Sequence, residues 1–92
     1  MNVRYTRTAL AEIDEIVSYI ARDNTQAAGE VAAAIEKTIA SIARRPASAP
    51  LVHEDVRAKM VGRYQYRVFY VVVGDELLVR NVRSTRRLRP WE

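Results

Sequence analysis

The chain contains no cysteine in its 92 residues. It therefore forms no disulfide bond and offers no thiolate ligand to a metal ion. Histidine is nearly absent as well, since His53 is the only one. We expect neither a metal site nor another cofactor.

Long apolar runs are also missing. The longest, Val68–Val73, is far shorter than the about 18 apolar residues that a membrane-spanning helix needs. The opening sequence MNVRYTRTALAE lacks the apolar segment of a signal peptide. We therefore expect a cytoplasmic protein that makes no membrane contact, folded as a single domain over residues 1–92.

The positive charge lies in the C-terminal part. Residues 1–56 carry six basic and eight acidic side chains, a net charge of −2. Residues 57–92 carry nine basic and three acidic side chains, a net charge of +6. Such asymmetry indicates an acidic partner, either a nucleic acid or an acidic protein segment.

Two helices are predicted in the first half. Residues 2–6 alternate in polarity like a short strand, and apolar residues then recur at three- and four-residue spacing, as in an amphipathic helix. Thr8 is expected to cap this helix, and Glu12 is expected on its solvent side. Thr25 should open a second, alanine-rich helix that Pro46 stops.

An antiparallel meander is predicted in the second half. The segment PASAPLVHED, residues 46–55, has two prolines and no period, which is typical of a loop. Three strands should follow over residues 56–61, 64–73 and 76–84, with Gly74-Asp75 as the last hairpin turn. The order βααβββ predicts an α+β fold, with the helical hairpin on one face of an antiparallel sheet and the first strand at an edge.

The whole pattern resembles the RelE/ParE superfamily of bacterial toxins. The resemblance rests on the opening strand, the helix TALAEIDEIVSYIARDN, a second helix ending near ARRPASAP, and the segment GRYQYRVFYVVVGDELLVRNVRSTRR. In that segment Tyr66-Arg67-Val68-Phe69-Tyr70 forms a strand typical of the family, and Arg86-Arg87 follow the hairpin.

The resemblance implies a toxin of a type II toxin–antitoxin system. A cognate, ParD-like antitoxin would wrap the toxin in a hetero-oligomer and would contact operator DNA itself, so that the toxin meets DNA only indirectly. Two branches of the superfamily differ in their target. RelE-like members cut mRNA on the ribosome, whereas ParE-like members poison DNA gyrase.

The residues favour the ParE-like branch. RNA cleavage through the 2′-hydroxyl needs a proton carrier, and arginine is a poor one because it stays protonated. The tail STRRLRPWE has neither tyrosine nor histidine, and Ser84 stands where many relatives have a histidine. His53 and Glu54 are more typical of a loop than of a catalytic pair.

We therefore predict a toxin that binds gyrase and is not an enzyme; the alternative is a ribosome-dependent mRNA endonuclease that uses Arg63, Arg67 and Arg87 for phosphate charge. A non-toxic nucleic-acid-binding module is a third reading.

A basic surface near the C-terminus is the predicted binding site for target or antitoxin, because the arginine fork pairs with carboxylates and phosphates. Arg83, Arg86 and Arg87 are the principal candidates, and their replacement by alanine is expected to abolish growth arrest with the fold intact. Trp91 either contacts a partner or anchors the tail. The full predicted set is Arg67, Arg80, Arg83, Arg86, Arg87 and Trp91.

A second predicted surface is a groove between the helices for an amphipathic antitoxin helix. The apolar stripes are wider than one sheet face needs, although mutual burial of the helices would also account for them. The predicted lining residues are Leu10, Ile13, Ile16, Val17, Ile20, Ala28, Val31 and Ile35.

Overall fold

Two helices and five strands make up the chain, for which the computed structural model describes residues 1–92. The elements are β1 (Asn2–Tyr5), α1 (Arg7–Ala21), α2 (Thr25–Arg44), β2 (Leu51–His53), β3 (Val56–Met60), β4 (Tyr66–Val73) and β5 (Glu76–Ser84). Neither helix is long and apolar enough to cross a membrane.

The five strands form one sheet in the order β1-β5-β4-β3-β2. The predicted α+β class and the edge position of β1 are confirmed. However, β1 pairs with β5 in parallel, with Val3 opposite Leu77, so the sheet is mixed rather than wholly antiparallel. Alternating polarity has the same period of two in parallel and antiparallel strands, so the sequence of a four-residue strand does not show its direction relative to its neighbour.

The predicted proline loop contains a strand. Leu51 pairs with Arg57 and His53 with Val56, which makes β2 the other edge of the sheet. The loop prediction was wrong here because three residues are too few to show a period of two. By contrast, the predicted Gly74-Asp75 turn is confirmed, with Val73 opposite Glu76 and Gly74 at φ +62, a conformation that glycine adopts without steric cost.

The first helix begins two residues earlier than predicted. Thr6, not Thr8, is its N-cap: its side-chain oxygen accepts a bond of 2.9 Å from the Ala9 amide. The same hydroxyl donates to the carbonyl of Arg80 at 2.8 Å, so the cap also joins α1 to β5. The second helix begins at Thr25 as expected, capped by the Asn24 side chain.

The main core lies between the helices and one face of the sheet. The aliphatic stripe of α2 packs there against the inward side chains of β4 and β5, among which Tyr70 and Leu77 are fully buried. A smaller cluster covers part of the opposite face, which we call the open face, and consists of Val56, Ala58, Phe69 and Val71.

The predicted groove between the helices is not present as such. Ala28, Val31 and Ile35 are at most 4% exposed because α2 turns them toward the rest of the core. The α1 residues of the set range from half-buried to exposed, since their helix lies nearer the surface; Leu10 is 54% exposed, and Ile13, Ile16, Val17 and Ile20 are half-buried. Mutual burial therefore accounts for most of the apolar width of the helices.

Tyr70 connects the central strand to the segment after α2. Its hydroxyl donates to the Pro46 carbonyl at 2.7 Å, and Arg57 donates to the nearby Ala49 carbonyl at 2.6 Å. Burial raises the pKa of the Tyr70 hydroxyl, and the positive charge of Arg57 offsets only part of this effect. Tyr70 thus packs in the core with its hydroxyl at the rim, as the strand pattern predicts.

Tyr70→Phe is expected to lower the free energy of unfolding by about 1–2 kcal/mol near neutral pH, because the Pro46 carbonyl loses its donor. The native state holds its phenolic proton to higher pH than the unfolded chain, so this tyrosine contributes stability below the ordinary pKa of about 10 that is lost as the pH rises further. The difference in the free energy of unfolding between the wild-type protein and Tyr70→Phe should therefore decrease above that pH.

Urea unfolding at neutral and alkaline pH measures both effects. Tyr19→Phe is the matched control, since Tyr19 is 68% exposed. If the difference in the free energy of unfolding between the wild-type protein and Tyr70→Phe stays constant or increases above the tyrosine pKa, the stabilising role assigned to the Tyr70 hydroxyl is contradicted.

Candidate functional site

The basic residues near the C-terminus are presented by β5 and by an ordered tail, residues 85–92. The Thr85 amide donates to the Gln65 carbonyl at 2.9 Å, and the Arg87 amide donates to the Ser84 carbonyl at 3.1 Å. The Arg86 amide donates to the Ser84 hydroxyl at 3.2 Å. The chain therefore leaves the last strand through a hydrogen-bonded turn.

Glu12 binds the end of β5 from the first helix. One carboxylate oxygen accepts from the Asn81 side chain at 3.0 Å and from the Val82 amide at 3.1 Å. The other accepts from Nε of Arg83 at 2.7 Å. Since Glu12 is only 7% exposed, its charge is balanced mainly by Arg83.

The prediction that Glu12 faces solvent was wrong. The signal that could have found it is its spacing: Ala9, Glu12 and Ile16 follow at intervals of three and four, which places the acid on the apolar side of the helix. A carboxylate on that face indicates a buried cationic partner, although its identity as Arg83 depends on a contact between residues 71 positions apart.

Arg83 therefore has an internal role. Its Nη1 donates to the Leu88 carbonyl at 3.2 Å while its Nε binds Glu12, and its side chain is 20% exposed. We predicted that an alanine triple variant at Arg83, Arg86 and Arg87 keeps the fold intact. The loss of Arg83 would leave the buried Glu12 without a counter-charge, so we now expect that variant to be less stable.

Trp91 returns the tail to the open face. Its ring stacks on His53 with a centroid distance of 4.4 Å and an interplanar angle of 7°, and it meets Phe69 edge-on at 5.7 Å. The expectation that Trp91 anchors the tail is confirmed. His53 is likewise a packing residue, and Glu54 lies 3.7 Å from its Nε2 without a close hydrogen bond.

The arginines border two cavities, although Arg67 and Arg83 are directly opposite each other on neighbouring strands. Arg67 and Arg89 border a cavity of about 460 Å³ on the open face, beside Phe69. Arg83 and Arg87 border a different cavity of about 190 Å³ next to α1. These two sites could each hold an acidic group, but they do not share one ligand position.

Two further predicted arginines lie apart from both cavities. Arg63 precedes β4, with its guanidinium 5.6 Å from the Tyr64 ring centroid. Arg80 is the extra residue at a bulge in β5, since Phe69 pairs with Asn81 and Tyr70 with Val79. The bulge directs Arg80 to the small cavity beside His53 and Trp91.

The arginines predicted for RNA cleavage do not border one common cavity. Arg67 and Arg87 border separate cavities, and Arg63 borders neither. Lys59 also borders the open-face cavity, but its ammonium donates to the Ser41 hydroxyl of α2 at 3.0 Å. No group of three or more histidine and carboxylate side chains is placed to hold a metal ion.

Comparison with known proteins gives a consistent result. The family model for the ParE toxin of the type II toxin–antitoxin system parDE matches residues 3–89. No curated protein sequence matches the chain.

Several solved structures share the fold. A chain of the chromosomal ParDE system from P. aeruginosa superposes with a TM-score of 0.78 at 20% identity, covering 91% of this chain and 95% of that one. A chain of the E. coli RelBE toxin–antitoxin complex gives 0.68 at 18% identity, with 94% and 98% covered. A YoeB/ParE toxin from Agrobacterium tumefaciens gives 0.65 at 17% identity, with 91% and 98% covered.

Glu12→Gln is expected to lower the free energy of unfolding by about 2 kcal/mol. The amide oxygen can still accept hydrogen bonds, but the amide nitrogen is a donor that faces the Nε of Arg83. The substitution also removes the negative charge that balances Arg83. Chemical denaturation monitored by circular dichroism measures the loss. The matched control is Glu15→Gln, an exposed carboxylate on the same helix, which should change stability by less than about 0.5 kcal/mol. Equal effects of the two substitutions would contradict the structural role of Glu12.

Proposed function

The chain belongs to the ParE toxin family of type II toxin–antitoxin systems, and from this premise we propose that it arrests growth by binding DNA gyrase rather than by cutting RNA. The proposal places its action in the cytoplasm. It needs no cofactor and no proton transfer by the toxin itself.

One observation supports a binding role above the others. The arginines border two cavities, and the only histidine, His53, is stacked against Trp91 and borders neither of them. RNA cleavage requires cations and a proton carrier around one phosphate, whereas recognition of an acidic protein surface can use separate cationic patches.

Arg86 and Arg87 are the proposed target-binding residues. Both are exposed and neither makes a salt bridge within 4.0 Å. Arg83 acts through its internal bonds, as a positioning residue. Arg67 and Arg80 remain proposed contacts for antitoxin or target.

A ParD-like antitoxin is the proposed resting partner. The structures from P. aeruginosa and E. coli that share this fold come from a ParDE system and a RelBE toxin–antitoxin complex. The cavity beside α1 is lined by apolar and aromatic side chains such as Ile16 and Tyr19, by Arg83 and Arg87, and by the carboxylates of Glu12 and Glu15, so it suits an amphipathic segment with charged side chains of both signs. We propose that the antitoxin covers this cavity in a hetero-oligomer and contacts operator DNA through its other end.

Pulse-labelling after induction without antitoxin tests the proposed target. Radiolabelled thymidine and methionine incorporation are followed separately over the first minutes. Inhibition of gyrase predicts that DNA synthesis falls first while translation continues. An earlier fall in translation contradicts the proposal.

Arg86→Ala/Arg87→Ala is expected to remove growth arrest while leaving the thermal midpoint nearly unchanged, because both side chains are exposed. Viable counts after induction and circular dichroism of the purified proteins measure the two effects. Arg7→Ala/Arg22→Ala is the matched control, since it removes the same charge at the two ends of α1. Growth arrest by a folded Arg86/Arg87 variant would exclude these residues from target binding.

The alternative, a ribosome-dependent endonuclease, has one supporting feature. Arg67 and Arg89 border the open-face cavity, where their guanidinium groups could contact the phosphate of a nucleotide. If translation stops first, Arg67→Ala is the informative variant, and loss of translation-dependent cuts in message would support this function.

A further inference from the structure

The C-terminal tail exposes one apolar side chain, that of Leu88, between arginine side chains. Leu88 is 68% exposed although its backbone carbonyl is held by a hydrogen bond from Arg83. Arg86 and Arg87 are exposed beside it, and the Arg89 side chain is 49% exposed. Nothing in the fold uses the Leu88 side chain.

The same segment is held at both ends. Before it, Arg83 donates from Nε to Glu12 at 2.7 Å and from Nη1 to the Leu88 carbonyl at 3.2 Å. After it, Trp91 stacks on His53 at 4.4 Å. The Leu88 backbone is therefore bound through Arg83 to a buried carboxylate, while its side chain points outward.

Such a loop is already held in one conformation in the free protein, before a partner binds. Ordering a flexible basic tail on binding costs entropy for each immobilised residue, and anchors already present in the free protein reduce this cost. The anchors also set the direction in which the three arginines and Leu88 face.

We infer that residues 86–89 form a preorganised docking loop for an acidic protein surface with an apolar recess that receives Leu88. The inference rests on the proposed function, whose target supplies that surface. A nucleic-acid backbone would contact the arginines alone, through its phosphates. Burial of the leucine side chain requires an apolar recess, which a protein surface provides. Arg83 is the positioning residue of the loop, and Leu88 is its specificity determinant.

Two variants separate the contact from its support. Leu88→Ser removes the apolar side chain and leaves every backbone bond of the tail in place. Arg83→Lys keeps a positive charge for Glu12, but a single nitrogen cannot occupy both positions from which Nε and Nη1 donate. Val73→Ser is the control, since Val73 is 60% exposed and pairs with Glu76 at the hairpin end of β4, whereas the tail leaves the sheet at the other end, where Tyr66 pairs with Ser84.

Two readouts apply to all of these proteins. Trp91 is the only tryptophan, so acrylamide quenching of its fluorescence reports whether the tail is docked. Inhibition of DNA supercoiling by purified gyrase reports target binding. Circular dichroism establishes that each variant is folded.

Leu88→Ser should leave the quenching constant unchanged and raise the half-inhibitory concentration by about tenfold, the effect of losing one buried leucine contact. Arg83→Lys should raise both the quenching constant and the half-inhibitory concentration. Val73→Ser should change neither.

Each contrary result has a distinct meaning. If the wild-type protein does not inhibit gyrase, the proposed function fails, and the assignment of the acidic surface to that target fails with it. If the wild-type protein inhibits but Leu88→Ser inhibits equally, the docking role of Leu88 is overturned and a purely electrostatic contact remains. If Arg83→Lys leaves quenching unchanged, Arg83 does not hold the tail.

Discussion

The buried carboxylate of Glu12 is the interaction on which the arrangement of the C-terminal half depends. It accepts bonds from a side-chain amide, a backbone amide and a guanidinium, all at the end of β5. A carboxylate at this depth is tolerated because its oxygens are satisfied and a positive charge lies against it. The first helix thereby determines where the last strand ends and how the tail departs from it.

The sheet separates two environments that the tail connects. On the helix side, an aliphatic core and the Tyr70 hydroxyl hold α2 and the following segment against β4. On the open face lies a small cluster of buried apolar residues, and Trp91 packs against it through Phe69. The tail thus begins beside α1 and ends on the opposite face of the sheet. This course explains why cations adjacent in sequence border different cavities.

Family membership and geometry contribute different parts of the functional argument. The match over residues 3–89 establishes a ParE toxin, and similarity to solved toxins at 20% identity or less establishes a shared fold. Arg67 and Arg87 border different cavities, and Arg86 and Arg87 are exposed without a salt-bridge partner. These observations support the proposed binding role and do not identify the target.

The sequence alone determined the elements whose signals are local. Periods of two and of three to four residues extend over many residues in β4, α1 and α2, and glycine permits the φ that the Gly74 turn requires. The Arg-rich end and the family resemblance were equally visible. Only the tertiary structure decided the parallel direction of β1, the pairing of three-residue β2, the burial of Val31 and Ile35, and the cavities that the arginines border. Each of these depends on residues distant in sequence, such as Glu12 and Arg83, because burial and ion pairing arise from packing, which a local pattern does not specify.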